Sequence, residues 1–297
     1  MQDFQPESGR LLAISDTHVR FPENRDHLAS VRPTSPDDWL LLAGDVGERL
    51  SEIEWALTLL AKRFARVVWT PGNHELRIPP GDPTDLRGEQ RYRHLVALCR
   101  SLGILTPEDP YAIWRGQGGP ATIVPVFLLY DYSLRPEGMS KQESLAGAFA
   151  SGRVSPDEAR LFSDPYFSTE AWCHARLRYT EQRLRQELPG RPPAIFVTHY
   201  PLDFPPPGFA VDPFYAQWCG TTATRDWHRR FPVETVVYGH LHSPGTHWDD
   251  GVRFEEVSVG RPEEWQPRDG APAPPRCILP GPAPVGTGST SSHLSHA

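Results

Sequence analysis

The chain has 297 residues, 38% of them hydrophobic and 23% charged, with a formal net charge of −7. That length suits one large domain with insertions and an adequate core, and the lack of any Lys/Arg-rich run argues against nucleic acid held by its phosphates as the main partner. No apolar run is long enough to span a bilayer and the polar start MQDFQPESGR lacks the apolar stretch of a secretory signal, so a cytoplasmic protein without a membrane contact is expected.

In chain order, the first short apolar runs are residues 11–15, 40–44 and 67–70. Their length and Val/Ile/Leu content suit strands buried on both faces of a sheet covered by helices. Between the second and third, residues 48–64 place Ile53, Leu57, Leu60 and Phe64 at helical spacing, which predicts an amphipathic crossover helix. Strand, helix, strand in that order implies parallel pairing with a right-handed crossover.

Residues 76–191 are less regular and are expected to hold a substrate-facing insertion. Within them, 90–102 and 172–188 predict helices, and 140–152 a small helix or loop. Ser155-Pro156-Asp157-Glu158 has the form of a helix start. Residues 121–130 predict a strand, with Pro125 placing it at an edge or interrupting it. Further strands are expected at 195–198, 235–239 and 252–257. From 266 to 297 the chain is dominated by Pro, Gly, Ser, Thr and Ala, so a domain over 1–265 and a disordered tail over 266–297 are expected. The cysteines Cys99, Cys173, Cys219 and Cys277 form no C-x-x-C pair, which excludes a zinc knuckle or thioredoxin spacing and fits reduced thiols.

Acids and histidines fall where these strands end. The first run leads into Asp16-Thr17-His18, the second into Gly44-Asp45-Val46-Gly47-Glu48, and the third into Gly72-Asn73-His74-Glu75. Residues 195–198 lead into His199, and 235–239 into His240-Leu241-His242. In open α/β sheets the carboxyl ends of strands form the binding crevice, so all of these groups are expected on one rim. Alternate residues of an extended chain share a face, which would aim Asp16 and His18 together; His240 and His242 have the same spacing, although a loop could send them to different ions. Glycines 44, 72 and 239 would let the backbone turn beside the site. Carboxylate, imidazole and amide oxygen without thiolate suit Mn, Fe, Zn, Ni or Co. Seven ligands are too many for one tetrahedral ion with an open position. They suit two ions roughly 3.5–4 Å apart.

With these motifs the chain resembles the calcineurin-like metallophosphoesterase superfamily. The residues that carry the resemblance span positions 16 to 242 in the family's order. The resemblance implies a four-layer α/β/β/α sandwich, with two mixed sheets flanked by helices. It also implies that Asp16, His18 and His242 hold one metal, that Asn73, His199 and His240 hold the other, and that Asp45 bridges both. His74 would bind the substrate phosphate or protonate the leaving group. Glu48 stands where the family often has Asp.

The expected reaction is hydrolysis of a phosphomonoester or phosphodiester on a small or medium phosphorylated molecule, with a metal-bridged hydroxide as nucleophile. A nuclease and a non-catalytic scaffold on the same fold are the competing readings; the first would need a basic groove and the second a lost ligand. A lone Asp at a strand end is usually a cap, and a lone His is usually packing; five such coincidences at five strand ends are not. Arg135 is a candidate phosphate clamp on charge alone. Trp172, Trp218 and Trp227 are candidate pocket walls, with packing the simpler role. Asp131 and Tyr132 are candidates to approach from the second sheet, with a strand-end turn the simpler role. Specificity is expected in 76–191 and 201–226.

Overall fold

The computed structural model describes residues 8–210 and 212–281. In chain order it contains strand β1 (Leu11–Ile14), helix α1 (Pro22–Ser30), β2 (Trp39–Leu42), α2 (Leu50–Ala61), β3 (Arg66–Trp69), α3 (Asn73–Leu76) and α4 (Gly88–Ser101). There follow β4 (Ala112–Trp114), β5 (Ala121–Val126), α5 (Lys141–Ala150), α6 (Asp157–Arg160) and α7 (Thr169–Glu187). The last part holds β6 (Ala194–Thr198), α8 (Trp227–Arg230), β7 (Val233–Tyr238), β8 (Gly245–Asp249), β9 (Val252–Glu256), α9 (Pro262–Asp269) and β10 (Arg276–Leu279).

The strands make two mixed sheets, β10-β1-β2-β3 and β4-β5-β6-β7-β9-β8. Alternation along each strand builds two apolar layers. Leu11, Ala13, Leu41, Val68, Ile123, Ile195, Val197 and Val237 form one cluster, the seam between the sheets. Leu12, Ile14, Leu40, Leu42, Val67, Trp69, Phe196 and Val236 belong to the other cluster, together with Ile53, Leu57 and Leu60 of α2. This is why the strands are apolar on both faces. β1, β2 and β3 pair in parallel, as do β5, β6, β7 and β9, so each sheet ends its central strands on one rim. The two rims are stitched together beside the first motif: the Ser15 amide donates to Val257 O at 3.1 Å, and Val259 N donates to Ser15 O at 2.9 Å.

Three expectations change. β5 lies inside its sheet, with β4 on one side and β6 on the other. Its partner β4 ends opposite Ile123, so at Pro125 only β6 is paired, and a proline is tolerated there. The tail begins later than expected: α9 and β10 both lie partly or wholly beyond residue 266, and β10 pairs antiparallel with β1. Its four residues gain regular structure because β1 offers a free edge; residues 282–297 lie outside the described residues. The expected insertion is in part framework, since β5, α4 and α7 supply core residues. Helix α1 escaped the sequence pattern because it buries only Asn24 and Leu28.

Ile278 is fully buried in the seam between the sheets. Replacing Ile278 with Ala is expected to cost about 2–5 kcal/mol in urea unfolding; a change within experimental error would show that β10 is dispensable.

Candidate metal centre

The five motifs converge on one rim. Asp16, His18 and His242 present ligand atoms within 4.8 Å of one another, as do Asp45, His199 and His240, and also His18, Asp45 and His74. The convergence does not come from strand pleating. Asp16, His18, Asp45, His240 and His242 have φ of 52°, 38°, 55°, 69° and 50°, so each turns in the left-handed region that side chains other than glycine rarely adopt. Such strain costs on the order of 1–3 kcal/mol per residue and persists where surroundings over-determine it. The turn between His240 and His242 sends them to different groups. Of the three glycines, Gly44 makes a turn, at φ 87°. Gly72 and Gly239 serve close approach instead: a Cβ would come within 2.2 Å of Asp45 Oδ1 at the first and 2.1 Å of Ser15 Oγ at the second.

Each carboxylate has one oxygen tied down and one aimed inward. Asp16 Oδ2 accepts from Ser15 Oγ (2.5 Å), Ser258 Oγ (2.8 Å) and His240 N (2.9 Å), leaving Oδ1 at 3.0 Å from His242 Nε2. Asp45 Oδ1 accepts from His74 N at 2.9 Å, leaving Oδ2 at 3.4 Å from His199 Nε2 and 3.6 Å from His74 Nε2. Two of the imidazoles are likewise anchored on their outer nitrogens. His199 Nδ1 meets Ala43 O at 2.9 Å and His242 Nδ1 meets Glu264 Oε2 at 2.6 Å. This outer-layer bonding fixes tautomer and ring orientation, as around metal-bound histidines. Inner nitrogens then crowd together: His18 Nε2 is 3.1 Å from His242 Nε2, and His240 Nδ1 is 3.2 Å from His199 Nε2. Asn73 Oδ1 lies 3.2 Å from His199 Nε2. Oxygen and imidazole donors that converge this closely on common points fit metal ions well, and the donor set is that of a hard-to-borderline divalent cation.

Charge compensation tells the same story. Burial alone would raise Asp16 and Asp45, but His199 and further histidines hold both carboxyls well below the usual range. Burial alone would lower His199 and His242. Asp45 and Asp16 outweigh it and lift His199 to about 9, while hydrogen bonds to Asp16 and Glu264 lift His242 to about 10. His18 is pushed well down by burial and by His74, and His240 falls to about 3 through burial and His199. Before any metal binds, two carboxylates are thus balanced by two imidazoliums.

His74 stands at the edge of the cluster. Its Nδ1 lies 2.9 Å from Glu48 Oε1, and Arg77 Nη1 lies 2.6 Å from its Nε2. Burial works against ionisation of Glu48, yet the bond to His74 and the charges of His74 and Arg77 hold it at about 2. Glutamate thus fills the place where the sequence resemblance suggested aspartate.

Several supporting residues escaped the sequence. Glu75 is fully buried and accepts from the amides of Asp45, Val46 and Gly72, each at 2.9 Å. Arg91 of α4, also fully buried, donates to Glu75 O at 2.7 Å and Glu48 O at 2.6 Å. Glu75 had a signal, since it follows Gly72-Asn73-His74; Arg91 and Glu264 had none beyond their charge.

A cavity of about 290 Å³ opens beside the cluster. Asp45, Asn73, His74, His240 and His242 lie on one side of it; the segment Gly152 to Asp157, Tyr215, Trp218 and Arg261 line the rest. Both stretches expected to carry specificity therefore reach it. Trp218 is a wall, whereas Trp172 and Trp227 are core. Arg135 is corrected: its guanidinium donates to the carbonyls of Met139 and Tyr132 and is absent from the cavity lining, where Arg77, Arg153 and Arg261 stand instead. Asp131 accepts from Ser133 and Thr221, and Tyr132 donates to Glu158, so both tie the strand end to other segments, and neither is among the cavity-lining residues.

The family model for calcineurin-like phosphoesterases matches residues 9–244. The chain belongs to that family. It is 51% identical over 259 residues to an acyl-carrier-protein phosphodiesterase, PptH, of Mycobacterium tuberculosis, a match over 87% of this chain and 80% of the relative. The crystal structure of phosphopantetheinyl hydrolase (PptH) from the same organism superposes with a TM-score of 0.89 at 49% identity, covering 94% of this chain and 98% of that one. As a calcineurin-like phosphoesterase the protein is a hydrolase of phosphoric ester bonds, and the family implies divalent metal ions at its site. Among the described residues no helix is long and apolar enough to cross a membrane.

With His199 and His242 as ligands, metal binding would displace the two imidazolium protons. At about pH 7.5, Mn²⁺ addition to metal-free protein is expected to release about two protons per chain, from His199 and His242. Calorimetry in buffers of different ionisation enthalpy checks this; binding without proton release would contradict the charge balance.

Proposed function

We propose that the protein hydrolyses the phosphodiester that joins phosphopantetheine to an acyl carrier protein. The likeness over 87% of the chain to a protein named for that reaction carries the reading. The expectation of a small phosphorylated substrate is thereby extended: the phosphate would sit on a flexible arm, with a protein on its other side. An open cavity beside the cluster, walled by Tyr215 and Trp218 and edged by Arg153 and Arg261, suits a charged group on an extended chain. Cytoplasmic location belongs to the same proposal, and four free thiols agree with a reducing compartment.

In this reading Asp16, His18 and His242 hold one ion, Asn73, His199 and His240 a second, and Asp45 both. Support comes from two groups of converging donors, Asp45 belonging to the second and lying beside the first through His18. Mn, Fe, Zn and Ni all suit the donors. When bound, two such cations supply Lewis acidity toward phosphate oxygens and a more acidic water. The chain's own residues do the rest. Arg77 and Arg261 add positive charge at the cavity. Glu48 orients the His74 ring by its Nδ1, so that Nε2 faces the cluster. Arg77 donates to that nitrogen in the resting site. Proton delivery from Nε2 to the leaving alkoxide therefore requires two changes: the guanidinium turns toward the incoming phosphate, and the freed Nε2 takes up a proton from solvent, the resulting imidazolium being stabilised by the Glu48 carboxylate at Nδ1.

Purified protein with Mn²⁺ is expected to release phosphopantetheine from a holo-acyl carrier protein, seen as a mass loss on the carrier. Hydrolysis of simple phosphomonoesters with an untouched carrier would overturn the proposal. Asp45→Asn should leave no metal-dependent hydrolysis. His74→Asn is expected to lower kcat about 10²–10⁴-fold on the carrier, whose serine alkoxide leaves poorly. On a nitrophenyl diester, whose leaving group needs no proton, the loss should be far smaller. Equal losses on both would remove His74 as the acid.

A further inference from the structure

Asn73 can serve a metal only through its amide oxygen, and nothing in the Asn73 backbone decides which end of that amide points inward. Its neighbour does. Asn73 Nδ2 lies 3.2 Å from both Oδ1 and Oδ2 of Asp157, so the amide nitrogen is held outward and Oδ1 faces His199. A carboxylate accepts and does not donate; it therefore selects this orientation over the flipped one, which would set oxygen against oxygen. Asp157 is 3% exposed. Its charge is met by Arg77, whose Nε donates to Oδ1, and the other arm of that guanidinium reaches His74.

Asp157 does not come from the strand-end motifs. It opens the one-turn helix α6, 84 positions from Asn73, at the end of the segment that walls the cavity. That helix is pinned to the chain just after α3 by Ile78 N donating to Arg160 O at 2.9 Å.

We propose that Asp157 is a positioning residue that fixes the Asn73 amide with its oxygen toward Asp45, His199 and His240, so that the cavity-lining segment completes one half of the metal centre. This rests on the reading of Asn73 as a ligand. The consequence is a link between the substrate wall and one ion: displacement of residues 152–157 loosens the Asn73 side of the centre and leaves the side of Asp16, His18 and His242 alone.

The test is a titration of full-length metal-free protein with Mn²⁺ against a chromogenic chelator, on wild type, Asn73→Ala, Asp157→Ala and Asp157→Asn. Outer-layer residues of metal sites typically contribute 10–100-fold in affinity. Asp157→Ala is expected to weaken one of two Mn²⁺ sites by at least about tenfold, the same one weakened in Asn73→Ala, and to leave the other at wild-type affinity. Asp157→Asn keeps size and removes the charge, so it decides the matter should the alanine variant not fold; it should weaken the same site. Two unchanged sites in the Asp157 variants, or equal weakening of both, would overturn the inference. If Asn73→Ala leaves both sites intact, the ligand reading itself falls, and this inference with it; that result is distinct from an unaffected Asp157 variant beside an impaired Asn73 one.

Discussion

Two carboxylates, Asp16 and Asp45, are buried at the ends of adjacent parallel strands. An isolated buried carboxylate is too costly to keep ionised. Here the cost is met chiefly by histidines, and the two that carry the compensating charge, His199 and His242, come from the second sheet. The chemistry of the site and the joining of the two sheets are in this sense one arrangement. The Ser15 bridge to residues 257 and 259 brings the rims together, and Gly72 and Gly239 let them close without a side chain in the way.

A layer around the cluster holds it in place, and each member acts on a particular atom. Glu75 gathers three amides of the two motif loops, Arg91 gathers their carbonyls, and Glu264 sets the His242 ring. Such a frame explains how five residues persist in left-handed backbone. Strain of that kind survives only where neighbours leave no alternative. Glu48, Arg77 and Asp157 extend the frame toward the cavity, so the residues that would meet substrate and those that orient the donors form one hydrogen-bonded chain.

Much of this was legible in the sequence. Short strands apolar on both faces announced a covered sheet, and motifs at their ends announced the rim. The helix over 48–64 was visible because Ile53, Leu57 and Leu60 keep one face. What could not be read had local signals that were weak or absent. Helix α1 lacks an apolar stripe, β8 is an exposed edge, and β10 is four residues in a Pro-rich stretch that become a strand because β1 lends them hydrogen bonds. Pro125 suggested an edge where the sheet has an interior strand with a short neighbour.

The sequence by itself determined the fold family, the order of the motifs and which acids and histidines gather on the rim, because each motif sits directly after its own strand and needs no distant partner to be recognised. Only the tertiary structure decided how those donors point. Left-handed turns rather than pleat alternation aim Asp16 and His18, and His240 and His242 part company within three residues. Asp157, Glu264 and Arg91 act on atoms brought near by folding alone, while Arg135, equally charged, ends on backbone carbonyls away from the cavity. Charge and residue type are local properties; the partner that gives them a role is set by packing.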